Sequence, residues 1–237
     1  MKILVTNDDG IHAAQLLPLA RWAKKHGDVT VVAPKYEQSG KSQGIELHEA
    51  FEVKRLELDE GITAWSVDST PADCIRFAVF GLKEHFDLVI SGINRGYNIG
   101  TDVMYSGTVG AVFESVSLGM KAIAFSTSPS NYDLACEHLD RIYDYMQSKG
   151  LMELCSAYNI NIPPQPKDIC ITHQGGHYYS DDFVHQGNDM YQAQGKCIYQ
   201  DQNDESLDTD AVMHGHISIM PLTICRTDMS VYQKLKE

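Results

Sequence analysis

The sequence predicts an α/β protein: a Rossmann-like, mostly parallel sheet with helices on both faces, followed by a C-terminal β-hairpin or arm and a terminal helix. Three observations predict it. Short apolar runs recur at Lys2–Thr6, Asp28–Ala33, Asp87–Ser91 and Ala122–Ser126, too brief for helices and rich in residues suited to buried strands. Segments between several of them carry helical spacing, and strand–helix alternation implies parallel strands covered on both sides. Polar and glycine-rich loops follow residues 6, 33 and 91. In an open sheet of this kind those loops share the edge at the strands' C-terminal ends, where ligands bind.

Each element has its own signal. After the first strand, His12 to His26 places Leu16, Leu19, Ala20 and Ala23 at helical spacing, and Gly27 stops it. Pro34 breaks the second strand. Ile45 to Leu58 alternates like a strand, and Asp59-Glu60-Gly61 turns it toward Ile62–Val67 as a hairpin. Thr70-Pro71-Ala72-Asp73 is a helix start, with a capping hydroxyl, proline in the first turn and an acid at the positive end. That helix is expected to reach Leu82. Gly92 to Gly107 reads as a long glycine-rich loop, and a helix follows from Thr108 to Gly119.

The second half is less regular. Leu134–Lys149 reads as an amphipathic helix, Asn159–Pro164 and Asp168–His173 as strands, Ile217–Met220 as a last strand and Asp228–Lys236 as a terminal helix. Gly175 to Asp210 is polar, aromatic and poor in helix signals. We read about 174–210 as an arm that needs a partner to settle. The division is a catalytic core over 1–126, continued by 127–237 within one domain.

Composition narrows the function. The 237 residues carry a net charge of −13, which argues against a nucleic-acid duplex or an anionic membrane as partner. No apolar run approaches the ~20 residues of a membrane span, and no apolar signal segment precedes the first strand. The six cysteines form no CxxC pair and no disulfide or zinc spacing. A cytoplasmic protein with reduced thiols is expected.

The chemistry lies in the loops. Asp8 and Asp9 stand side by side at the end of the first strand. Adjacent carboxylates repel and are costly to desolvate without a cation. An ordinary Asp-Gly turn is the plain alternative. Gln38-Ser39-Gly40 after the second strand and Asn94 after the third bring hydroxyl and amide oxygens to the same edge. The set Asp8, Asp9, Ser39 and Asn94 is hard, suited to magnesium, manganese or calcium. Tyr105-Ser106-Gly107-Thr108 joins a glycine-rich loop to a helix start, where free N–H groups and hydroxyls favour an anion. A plain N-cap is the alternative there. His12, the histidines 173, 177, 185, 214 and 216, Asp208-Thr209-Asp210 and the tyrosines 178, 179, 191 and 199 are weaker candidates.

These motifs together resemble the SurE family (stationary-phase survival protein), metal-dependent 5′-nucleotidases. The resemblance is carried by Asn7-Asp8-Asp9-Gly10-Ile11-His12-Ala13, Ala33-Pro34 with Gln38-Ser39-Gly40, Thr70-Pro71-Ala72-Asp73-Cys74, and the run from Ser91-Gly92-Ile93-Asn94-Arg95-Gly96 to Tyr105-Ser106-Gly107-Thr108. It is strong over about 1–126 and returns in Asn159–Pro163, Thr209-Asp210 and Gly215–Leu222. It implies one divalent cation per subunit, magnesium or manganese, held by Asp8, Asp9, Ser39 and Asn94. It implies a phosphate near Gly40, Ser106, Gly107 and Thr108. It also implies a homodimer or homotetramer that exchanges C-terminal elements. Asp8 or Asp9 is the best candidate for a general base on chemical grounds. Ala14, Lys41, Gly44 and the segment Thr172–Tyr179 depart from the family pattern.

The expected activity is hydrolysis of nucleoside 5′-monophosphates to nucleoside and phosphate. Rival readings are a phosphatase for other phosphoesters or short polyphosphate, and a nucleotide sensor without turnover. A haloacid-dehalogenase-like phosphatase fits less well, since it wants carboxylates at alternating positions and a downstream lysine.

Overall fold

The computed structural model describes residues 1–59 and 61–236. In chain order the elements are β1 (Lys2–Thr6), α1 (Leu16–Lys24), β2 (Asp28–Pro34), β3 (Val53–Asp59), β4 (Ile62–Val67), α2 (Pro71–Arg76), β5 (Leu88–Arg95), α3 (Gly107–Ser117), β6 (Lys121–Thr127), α4 (Leu139–Ser148), α5 (Leu151–Leu154) and β7 (Ala157–Ile162). Then come β8 (Ile169–Ile171), β9 (Tyr179–Ser180), β10 (Phe183–Gly187), β11 (Met190–Ala193), β12 (Lys196–Cys197), α6 (Asp208–Met213), β13 (Ile217–Pro221) and α7 (Met229–Lys236).

Nine strands form one sheet in the order β3-β4-β2-β1-β5-β6-β7-β13-β8. All pairings are parallel except β3 with β4 and β13 with β7. The chain winds outward from β1 through β2 to β4, then returns to place β5 on the other side of β1. The topological switch point therefore lies between β1 and β5, whose C-terminal ends open a crevice. The parallel strands are buried on both faces, as their continuous apolar runs demand. Leu16, Leu19 and Ala23 of α1 and Ile142 and Met146 of α4 pack with Ile3, Val5 and Ile90 on one face. Cys74 and Ile75 of α2 and Val109 and Val112 of α3 pack with Leu4 and Val89 on the other.

Several boundaries differ from expectation. Residues 45–52 are not strand: the chain pairs only from Val53, opposite Val67. Upstream, the Glu46 N–H donates to Asp73 Oδ2 (2.8 Å) and the Thr70 hydroxyl to the Gly44 carbonyl (2.7 Å), so side chains of the α2 start satisfy this backbone instead of a ladder. The centre of the expected turn, Glu60, lies outside the described residues. Turns precede α1, which starts at Leu16. α2 passes into one π-type helical segment, Phe77–Gly81. The expected 92–107 loop is shorter, because β5 runs on to Arg95 and Gly100–Tyr105 forms a 3₁₀ turn. Pro129–His138 is also 3₁₀ before α4 begins. In the arm, β10 and β11 form a hairpin around Asn188 and Asp189, both at positive φ, the conformation tight hairpins favour.

Candidate active site at the switch point

Asn7 shapes the first loop. Its amide nitrogen donates to the Gly10 carbonyl (2.9 Å) and its Oδ1 accepts the Gly10 N–H (3.2 Å). Gly10 has φ +101°, a conformation that costs glycine little. The bracket fixes a tight turn that holds Asp8 and Asp9 at its tip. Asp8 is only 4% exposed. Its Oδ2 accepts the Thr108 N–H (3.1 Å) and its Oδ1 the Thr108 hydroxyl. Asp9 Oδ2 accepts the Arg95 N–H (3.1 Å), which ties the β1 loop to the end of β5. Burial pushes both carboxyls above the ordinary range, Asp9 to about 6, with repulsion from Asp8 adding to it and the Arg95 hydrogen bond opposing it.

The second loop is clamped from both sides. The Gln38 N–H donates to the Asp8 carbonyl (2.7 Å), and Ser42 donates its N–H to Tyr105 O (3.0 Å) and its hydroxyl to Met104 O (2.7 Å). Gln43 Nε2 donates to Glu114 Oε2 (2.9 Å), whose other oxygen takes Arg76 Nη1 (3.0 Å). Close approach requires Gly110: a Cβ there would lie 2.0 Å from the Ser42 carbonyl oxygen. Between these anchors, the Ser39 hydroxyl donates to Glu37 Oε1 (2.7 Å), and Gly40, at φ +73°, faces open space.

The third contribution comes from the β5 end and the α3 start. The Asn94 amide nitrogen donates to Gly96 O (2.8 Å), leaving Oδ1 as its remaining acceptor. Ser106 caps α3, its hydroxyl oxygen accepting the Val109 N–H (3.1 Å). Gly107 sits flush on the first loop: a Cβ there would be 3.0 Å from Asp8 Oδ2. The four phosphate candidates thus differ. Gly40 and Gly107 offer bare backbone, Ser106 caps the helix, and the fully buried Thr108 gives both its donors to Asp8.

Whether a metal suits these residues turns on charge. Among the described residues no lysine, arginine or histidine forms an ion pair with Asp8 or Asp9. Two desolvated carboxylates are therefore held without an ion-pair partner, by hydrogen bonds and the more distant charge of Arg95, with hydroxyl and amide oxygens supplied by neighbouring loops. That donor chemistry fits a hard divalent cation. The other candidates are occupied otherwise. His12 is exposed. His177 Nδ1 bonds the Thr101 hydroxyl (2.7 Å), His185 stacks with Tyr191, and His173 meets Ser206 (3.3 Å). His214 pairs with Asp201 (3.0 Å) and His216 with Glu205 (3.3 Å). Among the described residues no group of three histidine, cysteine or acidic side chains forms a metal cluster.

Some functional neighbours were not read from the sequence. The Asn-Asp-Asp-Gly pattern held the signal for Asn7, an asparagine side chain closing its own turn. Tyr132 carried none. Its ring lies 6.0 Å from the Arg95 guanidinium carbon, and burial, with the nearby charge of Asp9 adding to it, raises its phenol to about 12. An open cleft of about 620 Å³ lies beside the Ser39–Gly40 loop at Gln38 and Lys41, and its walls include the acidic Glu46, Glu49, Glu52 and Asp68.

Fold and site geometry together define a doubly wound α/β protein with an acidic, oxygen-lined crevice facing a helix start. Comparison makes this specific. A model of the family described as Survival protein SurE matches residues 3–181. The 5′-nucleotidase SurE of Thermosipho melanesiensis is 36% identical, covering 100% of this chain and 97% of that protein, and that of Petrotoga mobilis is 34% identical, covering 100% and 98%. The crystal structure of SurE from Aquifex aeolicus superposes with a TM-score of 0.80 at 29% identity, covering 100% of this chain and 98% of that one. The chain belongs to the SurE family.

Proposed function

We propose that this protein is a 5′-nucleotidase, hydrolysing nucleoside 5′-monophosphates to nucleoside and inorganic phosphate with one divalent cation, magnesium or manganese, per subunit. Asp8, Asp9, Ser39 and Asn94 are the residues that would hold the ion. The observation that carries the reading is the contact between the Asp8 carboxylate and the N-terminus of α3: an acidic pair without an ion-pair partner lies against the helix start best suited to an anion. The names of the relatives support the substrate class.

When bound, the cation neutralises phosphate charge and makes phosphorus more electrophilic. The chain does the rest. Gly40, Ser106 and Gly107 receive the phosphoryl oxygens, and Thr108 serves them through Asp8. Water attacks in line, the new P–O bond forms, and the bond to the nucleoside oxygen breaks. Asp9 is the better base for the water proton, since both Asp8 oxygens are taken by Thr108. The released nucleoside oxygen takes up a proton from solvent. The adjoining cleft is of a size to receive a nucleoside.

The same reading includes a cytoplasmic setting, in line with six free cysteines. No helix among the described residues is long and apolar enough to cross a membrane. It also includes a homodimer or homotetramer built by exchange of the arm and terminal helix. The hairpin β10–β11 supports that assembly, with Phe183 66%, Met190 64% and Tyr191 64% exposed. Phosphate release from a panel of nucleoside monophosphates, other phosphoesters and short polyphosphate, with magnesium, manganese or chelator, tests the activity. No release from any nucleoside monophosphate under any ion overturns it.

A further inference from the structure

Asp208 opens α6 far from the crevice in sequence, and it is fully buried. Its two oxygens are shared between two loops. Oδ2 accepts the Gly100 N–H (2.9 Å) and Oδ1 the Gly175 N–H (2.7 Å). Gly100 begins the 3₁₀ turn that ends at Tyr105, directly before the extended Ser106 and the α3 start at Gly107-Thr108. Gly175 is the root of the arm. Further bonds sew the same two segments together. The Thr101 N–H donates to Gly176 O (3.2 Å), the Thr101 hydroxyl meets His177 Nδ1 (2.7 Å), and the Tyr179 N–H donates to Asp102 Oδ2 (3.0 Å). Both glycines are required by crowding: a Cβ on Gly100 would lie 2.0 Å from Gly176 O, and one on Gly175 would lie 2.3 Å from the Thr209 hydroxyl.

We infer that Asp208 is a positioning residue for the phosphate site, latching the arm root to the turn that carries the Ser106–Thr108 cradle. The physical basis is that a carboxylate accepting two backbone N–H groups is a strong, directional tie. One 3₁₀ turn and the helix cap separate that tie at Gly100 from Thr108, which in turn holds Asp8. Loss of the latch frees the turn at one end, and small displacements of a binding constellation are costly in rate and affinity. The latch thereby joins the arm root to the turn that leads into the crevice.

Asp210 provides an internal reference. It is equally buried on the same helix, but its oxygens accept from Tyr199, Gln202 and Asp204, all outside the cradle turn. The inference rests on the proposed phosphatase reading, so the test has one arm without turnover. In the full chain, Asp208→Ala is expected to raise KM and the inhibition constant of inorganic phosphate by about tenfold or more and to lower kcat. Amide exchange at Thr108 and Val109 should quicken by about tenfold on the same ground. Asp208→Asn, which keeps one acceptor oxygen, recovers part of each change. Asp210→Asn lowers the melting midpoint and leaves KM, phosphate inhibition and exchange at 108–109 as in the wild type. If Asp208→Ala does not fold, Asp102→Ala and Thr101→Val carry the test, with changes of about threefold in the same constants. The inference is overturned if folded latch variants keep wild-type constants and exchange, or if Asp210→Asn shifts them equally. A wild-type protein that releases no phosphate from nucleoside monophosphates sinks the parent reading instead, and the exchange measurement still decides the latch.

Discussion

At the scale of single residues, Asp9 stands between function and stability. Its carboxyl is raised to about 6 by burial and by Asp8, whereas an unfolded chain titrates it near 4. Between those values the folded state holds the proton more tightly, so stability falls as pH rises through the interval and levels off above it. Asp9→Asn removes that penalty. In chelator at pH 7–8 the variant should melt about 2–6 °C higher, a modest gain because Asp9 is partly solvated, and the gain should vanish below about pH 4. Phosphate release should meanwhile drop by about 100-fold or more. Calorimetry across pH and a phosphate assay check the two halves. The place of the acidic pair at the crevice was legible, because a short apolar strand ends at it and the loops of a parallel sheet gather at that edge. Tyr132 was not, since its nearness to Asp9 depends on how the 3₁₀ segment 129–138 lies over the crevice. The shielding of Thr108 was equally hidden: a hydroxyl at a helix start reads the same whether it meets solvent or a buried carboxylate.

At the scale of elements, the helix starts were written most plainly. Thr70 caps α2 as read, its hydroxyl oxygen accepting the Asp73 N–H at 3.1 Å. It also holds the 44–46 loop through Gly44. Thr70→Val should therefore cost about 1–2 kcal/mol, a fall of about 2–6 °C in midpoint, measurable by thermal melting. The strand read over 45–52 failed because alternation reports a half-buried surface and not a partner. That stretch finds α2 side chains before it finds β4. Gly110 is the clearest element-level test of the site. Gly110→Ala drives a methyl into the Ser42 carbonyl and pushes the Ser39–Gly40 loop off α3. An overpacking cost of about 1–3 kcal/mol is expected, with at least a tenfold loss in kcat/KM, checked by melting curves and kinetics on the folded protein.

At the scale of the whole molecule, the parallel core was legible and the far edge was not. Alternation of strands and helices predicts a mostly parallel sheet, and β4-β2-β1-β5-β6-β7 form its parallel run. Nothing local says that β13 enters between β7 and β8, antiparallel to the first and parallel to the second, because that choice is made by long-range packing. The hairpin β10–β11 presents residues of both strands to solvent, and a two-stranded ribbon without a packed face is marginal by itself. The proposed exchange between copies supplies that face. Phe183→Asp with Tyr191→Asp should shift the protein to monomer in sedimentation or light scattering, and its melting midpoint should lose any dependence on concentration.

The switch point also governs when the site can exist. Asp8 and Asp9 leave the ribosome early, but their partners Arg95, Gly107 and Thr108 come about a hundred residues later, after the chain has crossed back over β1. Parallel neighbours cannot zip together as a hairpin does; they wait for their crossover. A nascent or truncated chain ending before α3 therefore carries the acidic pair without its cradle. Competence for catalysis comes late in synthesis, when the second winding of the sheet docks.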